Sequence, residues 1–129
     1  MSDPIQASTE SFLGIHGTAL VLREQRMQLL ASNLANADTP GFKAQDLDFN
    51  AALRAAMAPG AGAAGADPIE GAVAAGRYAR TPTQPSQDGN TVESERENAA
   101  FGQAALEYRA SLSFIESRVR SMLTAITGQ

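Results

Sequence analysis

Pro40-Gly41 divides this 129-residue chain into a long periodic stretch and a remainder that cannot continue it. Proline has no amide donor and disfavours helical geometry in the residue before it, here Thr39. Pro-Gly also suits the central positions of a type II turn, where glycine takes positive φ without steric cost. The stretch Ser32–Lys43 therefore reads as a helix end followed by a sharp turn, with Phe42 just past the corner.

Two asparagines stand in the last turns before that corner. Asn is a mediocre helix former, yet Asn33 and Asn36 fall on one face. Asn tolerates helix ends, so simple fraying is one reading. The other is that both amides bond neighbouring backbone or another helix and fix a register, as a buried Asn does in a helix seam.

Upstream, from about Thr9 to Asn36, apolar residues recur at helical spacing. Phe12, Ile15, Ala19, Leu22 and Leu29 form one stripe, interrupted by Arg26, and Leu13, Leu20, Met27 and Leu34 form a second with a seven-residue repeat. Together they make a face wider than a two-helix seam requires. Such a helix is about 42 Å long. Gly14 and Gly17 weaken its start by on the order of 1 kcal/mol each relative to Ala.

The other end of the chain repeats the theme. From Thr91 to Thr127 the positions Phe101, Ala105, Tyr108, Leu112, Ile115, Val119, Met122 and Ile126 step by four and three without a miss, and Phe114 and Leu123 widen the face. That register predicts a coiled-coil helix of about 55 Å. Asn90 or Thr91 is placed to cap it, Glu93, Glu95 and Glu97 load its first turns with charge favourable to the dipole, and Gly128 marks its stop.

Between these helices, Asp46–Met57 reads as a short helix capped by Asp48 or Asp46, with Phe49, Leu53 and Met57 on one face. Pro59–Gly76 is rich in Ala and Gly and reads as a linker. Arg77–Asn90 reads as an extended connector with a turn at Asp88-Gly89, a possible short hairpin, and Tyr78 as an anchor against a helix. The expected fold is all-α: two long terminal helices packed as an antiparallel coiled coil, a short helix, and a mostly irregular, flexible middle. The expected segments are 1–42, 43–58, 59–90 and 91–129.

Composition bears mainly on what the chain does not do. There is one Lys against nine Arg, no basic patch, and a net charge of −4, so neither nucleic acid nor anionic membrane is an expected partner. No cysteine is present, and His16 has no second ligand candidate at helical spacing, so no metal or cofactor is expected. Asp46, Asp48 and the Glu93–Glu97 cluster read as caps and solvated charge. No nucleophile–base constellation can be drawn, which argues against an enzyme and against a small-molecule substrate. The first apolar run is too short for a secretory signal or an anchor.

The run from Ala31 to Phe42 resembles the N-terminal signature of bacterial flagellar rod and hook proteins, roughly Asn-x-x-Asn-x-x-Thr-x-Gly-aromatic after a long helix. The matching positions are Asn33, Asn36, Thr39, Gly41 and Phe42, with Pro40 between, and Ser32 stands where a second Asn is common. Arg80-Thr81-Pro82-Thr83 and Asp88-Gly89-Asn90-Thr91-Val92 resemble the proximal rod members of that family in particular. The resemblance implies a structural subunit of the basal-body rod in the periplasmic space. It also implies transit through the flagellar type III export apparatus without a cleaved signal. Implied partners are other rod proteins, a FliE-type adaptor, the export gate and the inner-membrane ring.

Physics and resemblance meet at one point. Two helices cannot cover two wide apolar faces, so the remaining stripe has to meet other copies. Leu13, Leu20, Met27, Leu34, Phe101, Tyr108, Leu112, Ile115, Val119, Met122 and Ile126 are the residues expected to carry subunit packing, with Asn33–Phe42 fixing the corner. The competing expectation is a secreted helical hairpin that binds one partner and never polymerises.

Overall fold

A computed structural model describes the backbone of residues 4–128 and the side chains of Pro4 and of 11–128. The first three residues and the last one of the expected terminal segments lie outside this description. The elements in order are α1 (Pro4–Ala35), β1 (Gln45–Leu47), α2 (Phe49–Ala56), a 3-10 turn at Ala63–Gly65, α3 (Pro68–Gly76), β2 (Arg77–Ala79) and α4 (Ser94–Thr127). The fold is mainly helical, with one small sheet that the all-α expectation omitted. Among the described residues no helix is long and apolar enough to cross a membrane.

The two long helices lie antiparallel. Asn33 meets Glu97 near one end, Arg23 meets Glu107 in the middle, and the rings of Phe12 and Phe114 lie 6.0 Å apart further along. His16 sits within this aromatic cluster, 4.4 Å from Phe12 and 5.1 Å from Phe114 between ring centroids.

The middle of the chain departs most from the sequence reading. Asp48 does cap α2, its carboxylate accepting from the Ala51 amide at 3.1 Å. But Gln45–Leu47, expected to open that helix, form a strand that pairs antiparallel with β2, Asp46 opposite Tyr78. Two further bonds extend the ladder, Arg80 N to Ala44 O and Asp48 N to Gly76 O, both 2.8 Å. A two-stranded sheet this short depends on packing for its stability.

Likewise the Ala/Gly stretch is not all linker. Asp67 accepts from the Ile69 amide, Pro68 occupies the first helical turn where its missing donor costs nothing, and α3 runs to Gly76. Alanine is the best helix former, and its small side chain is the reason α2 and α3 pack closely: Ala52 and Ala72 are buried with Leu22 and Leu47, flanked by Leu29, Phe49, Ile69 and Val73. At Gly76 a Cβ would stand 2.8 Å from the Asp48 carbonyl. Tyr78, expected as an anchor against a helix, is 48% exposed on β2.

Candidate functional site

The corner forms as its residues dictate. Thr39 O accepts from Phe42 N at 3.2 Å and Gly41 takes φ +76°, the signature of a type II turn with Pro40 and Gly41 central. Asn36 turns its amide back onto Ser32 O at 2.9 Å, and its carbonyl accepts from the Thr39 hydroxyl at 3.1 Å. The helix end is thus tied off by motif residues rather than frayed.

The second resembling stretch grips this corner from outside. Asn90, buried, points its side-chain amide at three carbonyls of the α1 end: Asn36 and Ala37 at 2.9 Å and Thr39 at 2.8 Å. Gly41 N donates to Asp88 O and Thr91 N to Phe42 O, both 2.9 Å. Lys43 Nζ reaches Gly89 O, and the Thr91 hydroxyl accepts from Ala44 N at 2.8 Å. So Asp88–Thr91 is a clasp on the turn 39–44. Asn90 or Thr91 was expected to cap α4; Asn90 caps the end of α1 instead, and Thr91 bonds Phe42 and Ala44 past the turn. The α4 N-cap position falls to Glu93, whose side chain makes no capping bond. That carboxylate accepts from the Thr83 hydroxyl and amide, which hold it below its ordinary pKa.

Beneath the clasp lies a cluster of four buried or part-buried charges. Arg26 of α1 donates to Asp46 of β1 at 3.0 and 3.4 Å. Arg80, just after β2, donates to Asp46 at 2.7 Å and also bonds Glu97 of α4. Asn33 completes the set: its amide donates to Glu97 at 3.0 Å and to Gln45 O at 2.7 Å, and its carbonyl accepts from Gln45 N. The charges cancel, and α1, both strand segments and α4 each contribute one. Burial works to raise the Asp46 pKa; the Arg26 guanidinium, the Leu47 amide and Arg80 outweigh it and hold the carboxyl below its ordinary value. The hydrogen bond to Asp46 in turn raises Arg26.

Here the sequence reading needs correction. Asp46 and Glu97 are not caps or solvated charge; they are 4% and 0% exposed. The available signal was Arg26, a cation set in an apolar register, which demands a carboxylate partner once that face is buried.

The expected packing residues divide by depth. Among the described side chains the fully buried residues are Leu22, Leu30 and Asn33 on α1 and Glu97 and Ala104 on α4. Leu30 belonged to neither expected stripe. Leu20, Met27, Leu34, Phe101, Tyr108, Leu112, Ile115, Val119 and Met122 are half-buried, Leu13 is 42% exposed and Ile126 80%. Among the described side chains of 11–21 and 105–128 none is fully buried. The molecule is therefore a packed head from Leu22 to Ala104 and a stalk of two helices whose apolar faces stay partly wet.

Comparison with known proteins agrees with the geometry in where the distinctive residues fall. The family described as "Flagella basal body rod protein" matches residues 13–43, which ends at the corner. The flagellar basal body rod protein FlgB of Cereibacter sphaeroides is 44% identical over 123 residues, covering 91% of this chain and 94% of its own length. That of Aeromonas hydrophila is 40% identical over 129 residues, covering 95% and 97%, and that of Escherichia coli K12 38% over 121, covering 84% and 87%.

Proposed function

The chain belongs to the FlgB family of flagellar basal body rod proteins, and from that premise we propose that it is a subunit of the proximal rod that polymerises through its terminal helices. Its homologues are structural flagellar rod proteins, not enzymes. The proposed role is as part of the drive shaft for motility. The proposed neighbours are further copies, other rod proteins, a FliE-type adaptor, the export gate and the inner-membrane ring. Export without a cleaved signal belongs to the same reading.

The observation that carries it is the wet stalk. Leu13, Ile15, Phe114, Leu123 and Ile126 are all exposed on helices α1 and α4. Each square ångström of apolar surface left in water forgoes about 25 cal/mol. A neighbouring copy with the same stripes recovers that energy, and tightening of the α1–α4 pair into a coiled coil belongs to the assembled state in this reading. In the head, by contrast, the Arg26, Asp46, Arg80 and Glu97 charges are paired and the corner is clasped.

The test is Ile115→Asp together with Leu112→Asp in cells lacking the native gene. The expected result is soluble, helical protein with no rod outboard of the inner-membrane ring and no motility. Normal motility would overturn the proposal. A secreted, non-polymerising hairpin predicts a discrete monomer or dimer at every concentration in light scattering.

A further inference from the structure

The ion pairs that tie α1 to its neighbours fall into two tiers. Arg80, Asp46 and Glu97 are dry, with side chains at most 8% exposed. Glu107 is not: its carboxylate is 35% exposed, accepts from Arg23 at 3.1 Å and lies 3.5 Å from Arg26. Arg26 is thus forked. Its Nε and one terminal nitrogen hold Asp46 inside the head, and the other terminal nitrogen reaches out to Glu107. We propose that Glu107 is the pin of a hinge between head and stalk. With its carboxylate engaged the stalk helices lie together; with it screened or removed they swing apart while the head stays closed. The hinge is a property of one copy and does not depend on polymerisation.

Position is the first support. Among the described residues Glu107 is the furthest point along α4 at which a hydrogen bond or ion pair joins it to α1. On the stalk side the two helices meet through apolar and aromatic side chains, with Arg118 over the Phe12 ring. The second is anchorage. Arg23 is held from its other side by Phe49 of α2, whose ring centroid lies 4.2 Å from the guanidinium carbon, and its buried Nε has no partner. Gln103, one turn earlier on α4, donates to the free oxygen of Glu107 at 3.1 Å and orients it. So Glu107 joins α4 to a cation already seated on α1 and α2. The third is the gap beyond. Next to this junction α1, α2 and α4 part around an open cleft of about 400 Å3, lined by Ile15, Ala19, Phe49, Leu53, Ser111 and Ile115. Close packing does not secure the stalk at that level. Salt weakens exposed pairs and leaves buried ones nearly intact, so the two tiers respond differently to the same ions.

The test is amide hydrogen exchange on the dilute full-length chain at about 0.02 M and about 1 M sodium chloride. The expected result is exchange about threefold faster at 11–20 and 108–121 in high salt, with 22–104 unchanged. Glu107→Gln should show the fast pattern already at low salt and lose the salt response, while Arg26 keeps Asp46 and the head stays protected. Glu116→Gln removes an equal charge from α4 outside these ion pairs and should change nothing. The chain contains no cysteine, so spin labels on Ser11→Cys and Ser117→Cys, both exposed, report the separation of the stalk helices without background. That separation should be short and narrowly distributed at low salt, and longer and broader at high salt or with Glu107→Gln.

A salt response shared equally by head and stalk, or absent from both, overturns the hinge. So does the same acceleration in Glu116→Gln, which would make it an effect of net charge. Loss of protection at 22–104 in Glu107→Gln also overturns it, since Glu107 would then belong to the lock of the head.

Discussion

Asn33 and Glu97, 64 positions apart and both buried, share a hydrogen bond of 3.0 Å. One stands on the helix that leads into the corner and the other on the helix that returns to it. Through Arg80 and Asp46 the same bond reaches the small sheet, so four elements are held at one set of charges. An apolar seam that repeats every three and four residues tolerates slippage; paired charges do not, since a slip strands each of them without its partner.

Glu97→Ala removes a partner from both Arg80 and Asn33. The expected loss is about 3–5 kcal/mol of unfolding free energy, because Arg80 and Arg26 then share the single carboxylate of Asp46 and one buried positive charge is left uncompensated. Arg80→Met with Glu97→Met should cost less than the sum of the two single changes. Urea denaturation of the four proteins of that cycle measures the difference.

Acid should release the same cluster. The folded pKa of Asp46 is depressed, so its contribution to stability is fully present above the ordinary aspartate value and is lost as pH falls through the folded value. The chain should keep its stability from neutral pH down to about pH 4 and lose it below. Asp46→Asn should flatten that fall. Thermal unfolding followed across the range decides it.

Asn90→Ala strips the amide that serves three carbonyls at the end of α1. Asn36 O and Thr39 O keep the Thr39 and Phe42 amides as donors, so the loss falls mainly on Ala37 O and should be about 1 kcal/mol. The loss should be local: amide exchange should quicken at Thr39–Ala44 and stay unchanged at Leu22–Leu30. A uniform increase would mean that the clasp is part of the global core.

Two glycine substitutions should have opposite signs. Gly76→Ala would place its Cβ 2.8 Å from the Asp48 carbonyl and 3.0 Å from Ala52, and should destabilise by about 1–3 kcal/mol. Gly14→Ala meets nothing within 4 Å and sits inside α1, so it should stabilise by up to about 1 kcal/mol. Melting temperatures of the two variants read the contrast directly.

What could be read from the sequence was what local chemistry alone decides. Pro40 and Gly41 fixed the turn, Asp48 capped α2, Gly128 ended α4 in the left-handed region, and both terminal stretches formed long helices. Residues whose role depends on distant partners were not legible. Glu97 looks like ordinary first-turn charge until Arg80 and Asn33 arrive beside it. Asn90 sits in capping position for the helix that follows, yet the corner before it takes the bond. The Ala/Gly stretch seemed too poor in apolar surface to fold, but Ala52, Ala72 and Gly76 succeed by allowing close approach, a property of the pair of helices and not of either one. Leu30 fell outside both expected stripes, although it stands four residues after Arg26 and three before Asn33 on the face that α4 covers.

The most direct measurement is amide hydrogen exchange on the isolated chain and on the assembled rod. Helices built to be covered by neighbours should exchange fast at 11–21 and 108–127 in the monomer and become protected on assembly, while 22–104 is protected in both. A monomer protected equally from end to end, with no change on assembly, would contradict the claim that its apolar stripes need other copies to cover them.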